Sequence, residues 1–185
     1  MYDGIVLAGG YSSRFKQNKM CVEYLGKALI LHTVSTMLKT CDKVYVVTGH
    51  YHHEITKILE GYDKVEVIFN KGYAEGMFSS VKLGVHHVNH DFFIIPGDYP
   101  LVKESTYKKL LLGNKDLRVP SYNMHLGHPL FISYSLKDSL LSTETTSLKE
   151  FRNQKGYEII EVEDEYIHLD IDTINDFSRI KERND

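Results

Sequence analysis

The 185-residue sequence has no tryptophan and only two cysteines, Cys21 and Cys41. Neither cysteine stands in a C-x-x-C or other metal-like spacing. A basic excess is also missing. Lys and Arg number 22 against 25 Asp and Glu, a formal net charge of −3 without a basic stripe, so nucleic acid is not an expected partner. Affinity for an anionic ligand must therefore come from local placement of cations. No apolar run approaches membrane length and no signal-peptide pattern is present, so a cytoplasmic protein is expected. The two familiar phosphate-loop patterns, G-x-x-x-x-G-K-[ST] and G-x-G-x-x-G, are absent too. There is no repeat, low-complexity segment or linker. With 42% hydrophobic and 25% charged residues, one compact domain over residues 1–185 is expected, large enough for a sheet with helices on both faces. The thirteen tyrosines decide nothing about function.

What is present is concentrated near the start. Residues 2–7 form a short apolar run of the kind found in buried parallel strands. It breaks at Gly9-Gly10, where backbone amides can be exposed with no Cβ in the way, and Ser12, Ser13, Arg14 and Lys19 follow in one loop. Amides, hydroxyls and two cations at the carboxyl end of a strand suit a polyphosphate. The plainer reading is a strand-to-helix turn with solvated charges, Lys19 being an exposed loop lysine. Further strands are expected at 43–48, 65–69 and 92–96, with helices at 29–39, 54–60, 77–88 and 103–112. Strands alternating with helices imply a parallel sheet with right-handed crossovers. In the second half, strands at 117–122 and 129–134 change the sheet polarity. One or two helices follow within 136–154, then a strand at 157–162 and a last helix at 174–182.

Several later segments admit two readings. Gly76, Met77 and Ser80 open a helix, as capping or as nucleotide contacts. Asp98 follows the apolar run 92–96, where open α/β sheets bind ligands, although Asp is also common in turns. Gly127-His128-Pro129 is a hairpin or an acceptor contact. Thr173 and Asp176 make a capping box, which leaves Asp170 and Asp172 unexplained. Read as alternating positions of one strand, these two face the same way, to bind a metal with Asp98 or simply to solvate a strand end. His86 and His90 at helical spacing, and His52-His53, lack the partners that would make a zinc site.

The stretch Leu7-Ala-Gly-Gly-Tyr-Ser-Ser-Arg14 with Lys19 resembles the L-A-[GA]-G-x-S-x-R-(x)4-K signature of nucleotidyltransferases, and within them the molybdenum-cofactor guanylyl- and cytidylyltransferase family. Gly76-Met77 with Ser80, Gly127-His128-Pro129 and Asp170-Ile-Asp172-Thr173 extend the resemblance over nearly the whole chain. The resemblance implies a three-layer α/β/α sandwich with a Rossmann-like, mostly parallel sheet of the nucleotide-diphospho-sugar transferase type. It implies transfer of a nucleoside monophosphate to a phosphorylated, molybdopterin-like acceptor with Mg²⁺ and release of pyrophosphate. CTP is expected ahead of GTP, because the later motifs look cytidylyl-like although Gly9 is of the guanylyl kind. Leu7, Ala8, Gly9, Gly10, Ser12, Ser13, Arg14, Lys19, Thr48, Asn70, Gly76, Met77 and Ser80 are the expected nucleotide contacts. Arg14, Lys19 and Asp98 carry the catalysis, Gly127, His128 and Pro129 face the acceptor, and Asp98, Asp170 and Asp172 hold the metal. A transient contact with a molybdoenzyme or its accessory protein belongs to the same expectation. Two departures stand out: Phe15-Lys16 where Met-Gly is usual, and residues 141–148, which lack a Gly-Asp-x-Gly loop. Two alternatives are transfer to a sugar phosphate or phospho-alcohol, and a non-catalytic module that holds molybdopterin for a partner. A flavin- or nicotinamide-binding oxidoreductase on the same kind of sheet is a third, and the missing fingerprint argues against it.

Overall fold

A computed structural model describes residues 1–15 and 17–182. Lys16 lies outside the described residues. In chain order the regular elements are β1 (Asp3–Ala8), β2 (Glu23–Tyr24), β3 (Lys27–Ala28), α1 (Leu29–Met37), β4 (Lys43–Thr48), α2 (His52–Leu59) and β5 (Val65–Phe69). Then come α3 (Met77–His87), β6 (Phe92–Pro96), α4 (Glu104–Leu110), β7 (Leu117–Tyr122), β8 (His125–Leu126), β9 (Leu130–Ile132), α5 (Lys137–Ser142), α6 (Leu148–Lys155), β10 (Glu158–Glu161) and α7 (Ile174–Glu182).

The main sheet runs β10-β7-β9-β6-β1-β4-β5, with β8 added to β7. Strands β5, β4, β1 and β6 are mutually parallel, β9 is antiparallel to both β6 and β7, and β10 is parallel to β7. The polarity change expected in the second half is thus confined to β9 and the short β8. Alternation along the strands sorts the core into two layers. On one face Val6, Ala8, Val44, Val46, Phe93 and Ile95 pack under α1, α2 and α4 through Val34, Met37, Ile55, Leu59, Tyr107 and Leu110. On the other, Ile5, Leu7, Tyr45, Val47, Phe92 and Ile94 pack under α3, α5 and α6 through Val81, Val85, Leu140 and Phe151. Each fully buried Val, Leu, Ile, Met or Phe among them contributes roughly 1.5–3 kcal/mol of transfer free energy. The three-layer α/β/α architecture follows directly.

After β5 the chain crosses over β4 and β1 to form β6, so β1 and β6 meet at a topological switch point. Both adjoining strands end there, and Gly97 N–H donates to Leu7 O at 2.9 Å. A crevice at the carboxyl ends of such strands is where this sheet type places ligands.

A third, smaller core joins the first loop to the end of the chain: Phe15, Tyr24, Leu29, Ile171, Phe177 and Ile180. Phe15 is 2% exposed and meets the Phe177 ring edge-on at 6.0 Å. The departure at Phe15 therefore has a structural reason, since its side chain anchors the loop on α7. Two expectations fail here. Residues 170–172 form no strand; they are irregular backbone after a short 3₁₀ turn (Glu165–His168), and Ile171 N–H donates to Asp98 O at 3.0 Å instead of to a ladder. His90 lies beyond the end of α3, with its N–H on Asp3 Oδ2 at 3.1 Å, so it shares no helical face with His86. The expected capping box is present. Thr173 N–H donates to Asp176 Oδ2 at 2.8 Å and Asp176 N–H to Thr173 Oγ1 at 3.2 Å.

Candidate active site

A cleft of about 380 Å³ opens over the ends of β1 and β6. Gly9, Gly10, Ser12, Ser13, Arg14, Lys19, Gly76, Met77, Ser80, Asp98 and Asp172 all line it, with Leu7 and Pro96 as its floor. The loop from β1 is held in shape locally. Ser12 adopts φ 49°, its carbonyl accepts Phe15 N–H at 2.9 Å, and its hydroxyl accepts Lys19 N–H at 3.4 Å. On the sheet side, Thr33 of α1 donates to Gly97 O at 3.0 Å and fixes the turn that presents Asp98.

Lys19 is not the exposed loop lysine expected from the sequence. It is 9% exposed, and its ammonium bridges Asp98 Oδ2 at 2.6 Å and Asp172 Oδ1 at 2.7 Å. Arg14 reaches the other oxygen of Asp172 at 2.8 Å. The physical reason is the convergence of carboxylates. Asp98, Asp170 and Asp172 each offer an oxygen within 4.8 Å of the others, and such a group holds together only with positive charge nearby. Burial disfavours the charged form of Lys19, but the charge of Asp98 and the hydrogen bonds to Asp172 and Asp98 raise its pKa on balance. Asp172 is held below the ordinary carboxylate range, chiefly by its bond to Lys19. Asp170 moves the other way, pushed up by burial and then by the charges of Asp172 and Asp98. One oxygen, Asp98 Oδ1, is buried with no hydrogen-bond partner.

Three expected nucleotide contacts fall outside the lining of this cleft. Ala8 is 2% exposed within the core. Thr48 is fully buried, and its hydroxyl donates to Ile68 O at 3.1 Å and meets His52 Nδ1 at 2.8 Å. Asn70 donates to Ser79 Oγ and Ser80 Oγ at 2.8 and 2.9 Å and accepts Gly72 N–H at 2.9 Å. Asn70 thus reaches the cleft only through Ser80, which lines it. The histidine pairs gather no third ligand: among the described residues, the three aspartates are the single group suited to a metal ion.

A second pocket of about 370 Å³ shares Leu7, Met77 and Pro96 with the first. Its walls are Phe78, Val81, Ile94, Leu130 and Leu148, with His128, Lys149 and Arg152 as polar points. Of the three acceptor residues expected, only His128 lines it. A Cβ on Gly127 would stand 2.3 Å from Ile167 O, so glycine is required by close approach of the backbone. His128 N–H donates to that same carbonyl at 2.8 Å, and Pro129 is buried behind it. His128 Nδ1 and Arg152 Nε are buried without partners. Burial, and then the charge of Arg152, lowers the His128 pKa to about 4, so the ring is neutral at ordinary pH. Lys149 and Arg152 carried no signal in the sequence. They belong to the short α6, and only tertiary packing brings them to His128.

The family model for the MobA-like NTP transferase domain matches residues 4–160. The chain belongs to that family. It is 29% identical over 184 residues to the molybdenum cofactor cytidylyltransferase of Escherichia coli K12, covering 98% of this chain and 96% of that one. A probable molybdenum cofactor guanylyltransferase of Bacillus cereus AH820 is 30% identical over 181 residues, covering 91% and 88%. Among solved structures, a nucleotidyl transferase from Methanothermobacter superposes with a TM-score of 0.86 at 20% identity, covering 99% of this chain and 97% of that one. The fold is thus that of nucleotidyltransferases of the nucleotide-diphospho-sugar transferase type. No helix among the described residues is long and apolar enough to cross a membrane.

Proposed function

We propose that this protein transfers a nucleoside monophosphate from a nucleoside triphosphate, CTP ahead of GTP, to the phosphate of a molybdopterin-like acceptor and releases pyrophosphate. The observation that carries the reading is the meeting of two pockets over one floor. A loop of amides, hydroxyls and cations lies on one side of Leu7, Met77 and Pro96, and a largely apolar slot lies on the other. The curated relatives, which are molybdenum cofactor cytidylyl- and guanylyltransferases, support the same class of acceptor.

The triphosphate would lie on the Gly9-Gly10 amides with the Ser12 and Ser13 hydroxyls beside it. Lys19 has three donors and spends two on Asp98 and Asp172, and the Arg14 side chain is 72% exposed, so both retain donors for phosphate oxygens. Fixed donors at the position where pyrophosphate charge develops lower the barrier without reorganisation. No side-chain nucleophile is needed. The acceptor phosphate, with a second pKa of about 6, is already largely ionised at neutral pH and requires alignment.

The aspartates fit Mg²⁺. Asp98 Oδ1 is buried and unpartnered, Asp170 is pushed towards protonation by burial and then by its acidic neighbours, and oxygen donors from few carboxylates match the preference of that ion. When bound by Asp98, Asp170 and Asp172, Mg²⁺ would supply charge neutralisation for the reacting phosphates. In the second pocket the apolar walls suit a flat ring system, and neutral His128 with Lys149 and Arg152 would orient its polar edge.

Pyrophosphate release, measured with each of the four triphosphates, Mg²⁺ and molybdopterin, tests the reading. One triphosphate, CTP by this account, should support release that requires the acceptor. Binding without release would leave a non-catalytic pterin-binding module instead. For the metal, Mg²⁺ should raise the melting temperature of the wild type and not of Asp98→Asn; equal shifts in both would remove Asp98 from the metal site.

A further inference from the structure

The phosphate loop carries an aromatic side chain between its glycines and its hydroxyls. Tyr11 follows Gly10 directly, is 50% exposed, and lines the cleft together with Tyr73. Two rings buttress it. Tyr73 lies 5.4 Å away and His50 5.0 Å away, both tilted against it, and Tyr51 closes the cluster on His50 at 4.6 Å. The Tyr51 hydroxyl donates to Tyr11 O at 3.3 Å, which ties the backbone of the loop to the same cluster. Tyr73 is wedged tightly beneath: a Cβ on Gly49 would stand 2.7 Å from Tyr73 Cβ and 2.5 Å from Gly9 O. The turn at Gly9, the turn at Gly49 and the Tyr73 ring therefore form one packed unit. An aromatic ring of which half stays in solvent, yet which is held by two rings and a backbone anchor, gains little for the fold from its open side.

The geometry assigns Tyr11 to the nucleoside end of the cleft, as the platform on which the base stacks, with Tyr73 and His50 holding its orientation. This rests on the nucleotide reading above. Charges and hydroxyls at Ser12, Ser13, Arg14 and Lys19 fix the phosphate end, so the rest of the nucleotide extends to the part of the cleft lined by Tyr11, Tyr73, Ala74 and Gly76. Stacking on an aromatic face is tolerant of base identity, because every base offers a π surface. Tyr11 thus contributes affinity for any nucleoside triphosphate, and the choice among bases is made elsewhere.

The absence of tryptophan gives a clean test, since Tyr11→Trp creates a single-tryptophan protein. Binding is measured for the best-binding of CTP, GTP, ATP and UTP, and for inorganic tripolyphosphate, on wild type, Tyr11→Ala, Tyr11→Phe and Tyr11→Trp. Tyr11→Ala should weaken nucleotide binding by about 5- to 150-fold and leave tripolyphosphate binding unchanged, while Tyr11→Phe keeps wild-type affinity for both. Fluorescence of Tyr11→Trp should be quenched saturably by the nucleotide and not by tripolyphosphate. Unchanged nucleotide affinity in Tyr11→Ala, equal loss for both ligands, or an unquenched tryptophan at nucleotide saturation would each overturn the assignment. Wild-type protein that binds tripolyphosphate as tightly as any nucleotide would overturn it differently, by removing the nucleotide reading itself.

Discussion

The two pockets over the Leu7 floor satisfy their polar groups in opposite ways. In the first, the charges answer one another: Lys19 bridges Asp98 and Asp172, Arg14 takes the remaining oxygen of Asp172, and a single buried oxygen, Asp98 Oδ1, is left over. In the second, apolar walls surround polar atoms that the protein leaves unpaired, His128 Nδ1 and Arg152 Nε. Buried polar groups without partners are uncommon and costly, so two of them in one pocket point to a ligand that supplies the missing bonds. The difference teaches a division of labour. On the function proposed above, the first pocket would serve charge and reaction and the second recognition of a shaped acceptor.

The sharpest way to break this comparison is at Lys19. Lys19→Ala should lower turnover by about 10²–10³-fold, the loss typical of removing one fixed donor to a developing oxyanion. It should also lower stability by about 1–3 kcal/mol, because Asp98 and Asp172 lose the donor between them. Denaturant melts and pyrophosphate assays measure both, and a variant with wild-type turnover would remove Lys19 from the reaction. A smaller effect is expected in the second pocket. Arg152→Ala should raise KM for the acceptor about tenfold with KM for the triphosphate unchanged. If the triphosphate KM rises instead, the two pockets do not divide the substrates as described.

Acid sensitivity separates them further. His128 stays neutral in the folded protein down to about pH 4, whereas its ordinary value is 6.5. The unfolded chain therefore binds the extra proton first. The contribution of His128 to stability is present above pH 6.5 and is lost as pH falls towards the folded value, by about 1.4 kcal/mol per pH unit. His128→Gln should abolish about 2 kcal/mol of the stability lost between about pH 7 and about pH 5, measured by urea melts. An identical pH profile in wild type and variant would contradict the buried neutral imidazole. The smallest effect is outside both pockets. Thr173→Ala removes the cap of α7 and should cost about 1 kcal/mol, with turnover unchanged, although residues 170–172 lie just before it.

The first pocket was largely legible in the sequence and the second largely was not, for physical reasons. Strands Lys43–Thr48, Val65–Phe69, Phe92–Pro96 and Leu117–Tyr122 stand where their apolar runs predict, because a sheet covered on both faces demands such runs. Gly9, Gly10, Ser12, Ser13, Arg14 and Lys19 are sequence neighbours, so their loop could be read as one unit. What could not be read was pairing over distance. Lys19 meets Asp98 and Asp172 across 79 and 153 residues, and no local pattern marks it as buried. The alternation of Asp170 and Asp172 imitates a strand, yet the amide between them is spent on Asp98 O. Lys149 and Arg152 look like the solvated face of a polar helix until α6 packs beside β9 and His128.

The most direct test of this division follows the phosphorus atoms. CTP labelled at either the α- or the γ-phosphorus is incubated with the protein, Mg²⁺ and molybdopterin, and the products are separated. The account predicts that the α label appears on the pterin while the γ label leaves as pyrophosphate. A γ label on the acceptor or in free phosphate, or an α label that never reaches the pterin, would contradict it.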